Sequence, residues 1–328
     1  AYDAMIATHL ALAVVHPTAG NIGGGGFFVY HHKDGSSGSL DFREMAPQKA
    51  FKDMYLDENG DVIPDMSTLG GLAVGVPGSI SAIYKIHSKF GSLPIEDLFE
   101  PAINLAKNGF VVTQKQSNSL TGKLEDFIKV NGEESLYSKR YYEGDTIKNI
   151  KFAETLSKIS KFGPEIFYGG EIGEMIVNSV KKAGGIMTLN DLENYKSIWR
   201  DPVKFKYKNL DIISMSLPSS GGILIGQMLK VIEDYDIKSF GHNSVKTVQL
   251  LVEAERRAYA DRSHFMGDPD YMDLPVYELM DKEYVVDRMK NFSWDKATSS
   301  SDVKHGNIIL NESDCLLYTS DAADDPTC

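Results

Sequence analysis

From Ala4 to Val15 the chain is almost continuously apolar, broken only by Thr8 and His9. This run predicts a buried helix, and it falls well short of the roughly 20 residues a membrane-spanning helix needs. A glycine-rich stretch, Asn21-Ile-Gly-Gly-Gly-Gly26, then feeds Phe27-Phe28-Val29-Tyr30, whose aromatic and β-branched side chains predict a strand. After turn-forming residues from Asp34 to Gly38, the alternation in Ser39-Leu40-Asp41-Phe42-Arg43 predicts the partner strand of a hairpin. Leu40 and Phe42 would share one face, Asp41 and Arg43 the other. Helical periods punctuated by Gly and Pro run from Ile80 to about Phe167. A further amphipathic helix is predicted over 170–182, and Thr188-Leu189-Asn190-Asp191 reads as a helix N-cap. Strand character returns from Pro202 to Met215 around a turn at Asn209. An apolar helix is then predicted from Ile223, and a long helix over 244–264 with Val248, Leu251, Val252, Ala254, Ala258 and Tyr259 as its core face. Strands on either side of a helical middle predict an α+β protein built in layers.

Composition narrows the function classes. With 328 residues, 42% of them hydrophobic, the chain can bury one sizeable core or two smaller ones. Its net charge of -12 comes from acidic residues spread along the sequence, so it lacks the basic stripe that phosphates require and no nucleic-acid partner is expected. The two cysteines, Cys315 and Cys328, lie at the very end, which excludes a disulfide framework or CxxC site in the body of the fold. No HExxH occurs, His31 and His32 would point to opposite faces of a strand, and no metal is expected. Asp261, Asp268, Asp270 and Asp273 do not follow calcium-loop spacing, so caps and surface ion pairs are expected of them. The glycine run fails the dinucleotide template: counted from Gly23, the last glycine of G-x-G-x-x-G falls on Phe28, and a strand follows where a helix should. Glycine is therefore expected there for backbone shape or close packing, and no cofactor is expected. Pro218 stands where a nucleophile elbow needs its first glycine, so Ser219 and Ser220 are expected to form a turn and a helix cap.

Arg43 keeps two readings open. Near a strand end it can be a structural partner of Asp41 or Glu44, or its planar guanidinium can clamp a substrate carboxylate with two hydrogen bonds. The blocks Asn21-Ile-Gly-Gly-Gly-Gly-Phe27, Asp41-Phe-Arg-Glu-Met-Ala-Pro47, Ala73-Val-Gly-Val-Pro-Gly78, Pro218-Ser-Ser-Gly-Gly222 and Ala258-Tyr-Ala-Asp-Arg-Ser263 with Gly267-Asp-Pro-Asp270 decide between them. In this order and spacing they resemble the gamma-glutamyltranspeptidases (glutathione hydrolases) over about residues 1–313. The resemblance implies the N-terminal nucleophile hydrolase fold, a four-layer αββα sandwich, of which this chain would be the large-subunit part, incomplete at both ends. It also implies a precursor that cleaves itself, exposing the N-terminal threonine of a small subunit. That threonine attacks the gamma-glutamyl carbonyl with its own amine as base, and water or an amino-acid or peptide amine resolves the acyl-enzyme. Arg43 falls on the arginine that grips the donor α-carboxylate. The oxyanion hole belongs to the small subunit, and the implied partners are that subunit, glutathione and other gamma-glutamyl compounds.

The final stretch departs from this pattern. A Thr-Thr-His-like sequence is expected soon after Asn311-Glu312-Ser313, whereas this chain continues Asp314-Cys-Leu-Leu-Tyr-Thr-Ser-Asp and ends at Cys328. Thr319 is followed by Ser320, so no catalytic residue is assigned in this chain. Residues 314–328 are expected to be an unrelated tail resembling translated adapter sequence. The family implies a periplasmic or extracellular location, and no signal peptide stands in this chain. Three alternatives share the resemblance: a cephalosporin acylase, a poly-gamma-glutamate-processing relative, and a non-catalytic homologue. Arg43 favours a substrate with a free α-carboxylate.

Overall fold

The computed structural model describes residues 1–17 and 19–308. The expected tail over 314–328 lies outside the described residues. The predicted hairpin forms, with β1 at Phe27–His31 and β2 at Ser37–Asp41. The chain divides into two compact units, one of residues 1–27 and 40–198, the other of residues 28–39 and 199 onward.

The first unit is helical where the sequence predicts it: α1 (Tyr2–Val15), α2 (Ser79–Phe90), α3 (Ile95–Asn108), α4 (Gln114–Gly122), α5 (Leu124–Asn131), α6 (Ile150–Phe162), α7 (Glu165–Tyr168), α8 (Glu171–Lys182) and α9 (Leu189–Glu193). A short antiparallel pair, β3 (Phe110–Val111) with β4 (Thr146–Ile147), interrupts them. Helix α3 packs against α1 and α6 and buries Leu98, Phe99, Ala102 and Ala106. Leu98 and Phe99, removed from water, each contribute roughly 1.5–3 kcal/mol. A second cluster, Val76, Val180, Met187, Leu192 and Tyr195, gathers around α8 and α9. Helix α9 starts at the predicted cap: the Thr188 hydroxyl accepts from the Asp191 N–H, and the Asp191 carboxylate accepts from the Thr188 N–H.

The second unit contains β5 (Ile198–Arg200) from its residue 199 onward, and β1, β2 and β5 form a three-stranded sheet in the order β1-β2-β5. The strand character seen from Pro202 to Met215 becomes the antiparallel pair β6 (Val203–Tyr207) and β7 (Leu210–Ser214), registered from Val203 opposite Ser214 to Tyr207 opposite Leu210. Helices α10 (Gly221–Ile232), α11 (Ile237–Phe240), α12 (Val245–Phe265), α13 (Val276–Leu279) and α14 (Lys282–Asp287) complete the unit. Its core joins Val203 and Phe205 to Leu217, Ile223, Phe265, Leu279 and Met280.

Helix α12 corrects the expected core face. Ala254 and Ala258 are buried, but Val248, Leu251 and Tyr259 are exposed and Val252 is half-buried. The inward face carries Leu250 and Phe265 together with Glu253, Arg257 and Asp261, spaced four residues apart. These charges are fully partnered. Glu253 accepts from Arg257 Nη1 at 2.6 Å, from Arg256 Nη1 at 3.0 Å, and from both the N–H and the hydroxyl of Thr298 at 2.7 Å. Arg257 Nε donates to the Arg288 carbonyl at 2.7 Å. Asp261, 1% exposed, pairs with Arg288 at 3.0 Å and accepts from the Gly306 N–H at 2.8 Å. The expectation of a surface or capping role therefore fails for Asp261. Arg288 also donates to the Lys304 carbonyl at 2.6 Å, so irregular backbone between 288 and 306 finds in this stripe the partners a sheet would otherwise provide. For Asp268 and Asp270 the expectation stands: Asp268 accepts from the Asp270 N–H, and Asp270 holds Arg200 with two bonds of 2.8 and 2.6 Å.

Candidate functional site

In the first unit, three stretches far apart in sequence meet through their main chains. Gly26 and Phe42 exchange hydrogen bonds of 3.2 and 3.0 Å, and Met45 and Val76 exchange bonds of 3.2 and 2.7 Å. The Gly24 carbonyl accepts from the N–H groups of Gly78 and Ser79, at 2.8 and 3.0 Å, and from the Ser79 hydroxyl at 3.0 Å. It thereby satisfies donors at the start of α2 that no side-chain cap reaches. This approach is too close for a β-carbon. One added to Gly25 would lie 2.3 Å from the Phe42 oxygen, and one added to Gly78 would lie 2.1 Å from both that oxygen and the Tyr195 hydroxyl. Close packing, expected of the glycine run, is what Gly25 serves.

Arg43 sits in the middle of this junction. Its N–H donates to Asp41 Oδ1 at 3.0 Å and its carbonyl accepts from the Tyr195 hydroxyl at 2.9 Å. Downstream, the Gln48 N–H donates to Asp191 Oδ1 at 2.8 Å, tying the segment to the capping box of α9. Burial would raise the Asp191 pKa, but the donors from Gln48 and Thr188 outweigh it and hold the carboxyl below its usual range. Burial, then the neighbouring Tyr168, Asp41 and Glu44, push the Tyr195 hydroxyl well above the ordinary tyrosine value, so it stays a donor.

The main chain of Arg43 is fixed while its side chain is exposed. Among the described residues its guanidinium has no ion pair and no hydrogen-bond acceptor. Neither structural partner that the sequence offers holds it: Asp41 takes the main-chain N–H, and Glu44 does not pair with it. Strand alternation is also incomplete, because Asp41 is buried along with Leu40 and Phe42. The structural ion-pair reading thus loses both its proposed partners. Sequence reasoning missed Tyr195, Gly78 and Asp191 as the groups that fix Arg43. The available signals were the Thr188–Asp191 cap and the glycine-rich block ending at Gly78. A cavity of about 350 Å³ lies elsewhere, in the second unit, lined by Trp199, Arg200, Leu217, Met272 and Asp273 among others. Its arginine is already engaged by Asp270. No group of three or more His, Cys, Asp or Glu among the described residues is placed to hold a metal ion.

The chain belongs to the gamma-glutamyltranspeptidase family, whose pattern matches residues 1–318. The glutathione hydrolase proenzyme of Escherichia coli (strain K12) is 38% identical over 98% of this chain and 56% of its own length. The crystal structure of Helicobacter pylori gamma-glutamyltranspeptidase aligns at a TM-score of 0.90 with 42% identity, over 93% of this chain and 88% of that one. The gamma-glutamyltranspeptidase from Pseudomonas nitroreducens complexed with L-DON aligns at 0.89 with 37% identity, over 93% and 91%. The fold is accordingly the α+β N-terminal nucleophile hydrolase fold, in its large-subunit portion. The chain spans about half the length of the curated relatives it matches.

Proposed function

We propose that these residues form the large-subunit part of a glutathione hydrolase that breaks gamma-glutamyl amide bonds by acyl transfer. The threonine hydroxyl of a small subunit, supplied by the rest of the precursor, adds to the gamma-carbonyl carbon. The carbon–nitrogen bond then breaks, and the departing amine takes up the proton removed from the hydroxyl. Water, or the amine of an amino acid or peptide, attacks the resulting ester and frees the threonine. Arg43 holds the donor by its α-carboxylate, several bonds from the reacting carbon, and so turns binding into positioning.

The observation that carries this reading is an always-charged guanidinium that, among the described residues, has no internal partner and sits on a tightly held main chain, in a member of this family. Its test is the full-length precursor, meaning these residues followed by the remainder of the family length. That precursor is expected to cleave itself into two subunits and release a chromogenic amine from a gamma-glutamyl anilide. The 328-residue chain alone is expected to release none, since the family resemblance implies that the nucleophile and the groups that stabilise the oxyanion belong to the small subunit. A precursor that cleaves acyl amides lacking an α-carboxylate and leaves the gamma-glutamyl anilide intact would instead be an acylase.

A further inference from the structure

Tyr195 touches Arg43 only at the main chain, 152 residues away in sequence. Other restraints on this segment come from backbone pairing, from Asp41 two residues earlier, and from Asp191 at Gln48. The tyrosine hydroxyl is different, because it is a single side-chain atom whose removal leaves those restraints standing. Its location is also well defined. The Tyr195 ring is 8% exposed and stacks on Tyr168 with centroids 5.8 Å apart and planes within 6°. Tyr168 is anchored in turn, donating to the Pro77 carbonyl at 2.9 Å and accepting from the Ser81 N–H at 3.0 Å. Gly78 leaves the space through which the Tyr195 hydroxyl reaches the 42–43 backbone.

We infer that Tyr195 is a positioning residue for donor binding: by holding the carbonyl of Arg43 it fixes the peptide plane next to the Arg43 Cα, and hence where the guanidinium fork meets the donor carboxylate. The inference rests on the proposed role of Arg43. A two-bond fork depends on orientation as well as charge, so a shift of the main chain weakens it even though the cation remains. Substrate-positioning groups are sensitive to displacements of about an ångström.

The test is Tyr195→Phe in the full-length precursor, which deletes one hydroxyl and keeps the stacked ring. KM for a gamma-glutamyl anilide is expected to rise about fivefold, the equivalent of about 1 kcal/mol, with kcat within twofold and self-cleavage intact. KM for the 4-aminobutyryl anilide, which lacks the α-carboxylate, is expected to stay unchanged. In an Arg43→Ala background the Tyr195 substitution is expected to add nothing. Tyr84→Phe, which removes a half-buried hydroxyl that donates to the Ile159 carbonyl and holds neither Tyr195 nor Arg43, serves as the control and should leave KM unchanged. An unchanged KM in Tyr195→Phe overturns the inference while Arg43→Ala still raises KM, as does a Tyr195 effect that multiplies with that of Arg43→Ala. An Arg43→Ala variant with normal KM overturns the role of Arg43 itself, and the positioning role with it. Should Tyr195→Phe fail to fold, Tyr195→Leu replaces it, a smaller apolar side chain with no hydroxyl, and the same split between the two anilides decides.

Discussion

The two units treat charge in opposite ways. In the second unit, the Glu253, Arg257 and Asp261 stripe of α12 is buried and every charge is answered by another charge or by irregular backbone. In the first, Arg43 is exposed and unanswered among the described residues, yet its main chain is held by Asp41, the Tyr195 hydroxyl and the backbone pairing of the junction. A charge whose task is to hold the fold together must be neutralised inside it, because a buried unpaired ion costs several kcal/mol. A charge proposed to bind something from outside must stay unneutralised, so its position has to be set through uncharged contacts to its backbone. The contrast separates structural from ligand-directed cations more sharply than burial alone.

The largest expected break in this comparison is Arg288→Ala, which leaves the Asp261 carboxylate buried beside a lost partner. A destabilisation of about 3–5 kcal/mol is expected, read as a lower urea midpoint for the second unit in the 328-residue chain. A midpoint close to the parent would mean the stripe is not a structural network. Next in size, Arg43→Ala in the full-length precursor should raise KM for gamma-glutamyl donors by about 2 kcal/mol or more, roughly thirtyfold, without changing the stability of the chain. Arg43→Lys should be nearly as impaired, since a point charge cannot reproduce the planar fork. Normal donor kinetics in the alanine variant would erase the distinction drawn between the two cations. Gly25→Ala should destabilise the first unit by about 1–3 kcal/mol, because the added methyl meets main-chain atoms that cannot step aside. A thermal melt matching the parent would show that the junction has slack. The smallest effect concerns pH. Burial works against ionisation of Glu253, but the bonds from Arg257 and Thr298 prevail, so its folded pKa lies below the ordinary 4.5. Its contribution to stability is therefore present above that ordinary value and lost as pH falls through the folded one. Glu253→Gln should flatten the acid limb of the stability profile of the second unit, and an unaltered limb would count against it.

Much of the fold was legible because its signals were local. The hairpin at 27–41, the cap at Thr188 and the strand pair around Asn209 each announce themselves within a few residues, and each formed within a residue or two of where it was read. Helix α12 was legible as a helix but not in its orientation. Two stripes with helical spacing run along it, and hydrophobicity favours Val248, Leu251 and Tyr259. The one that turns inward is set by Arg288, Thr298 and Gly306, which lie some 30 to 45 residues downstream and leave no local trace. Arg43 was singled out through residue type and family resemblance. Its supports were not, because a tyrosine hydroxyl aimed at a distant carbonyl is chemically silent in a sequence.

The crowding at Gly78 bears on how mutational tolerance is read. Every other amino acid would add a β-carbon 2.1 Å from the Phe42 oxygen and from the Tyr195 hydroxyl. In a saturation scan scored by activity, this position should be as intolerant as one that touches substrate, although a glycine has no side chain to offer a ligand. Selection acting on the Arg43 guanidinium would thus be recorded at a residue that packs against the neighbouring Phe42 carbonyl.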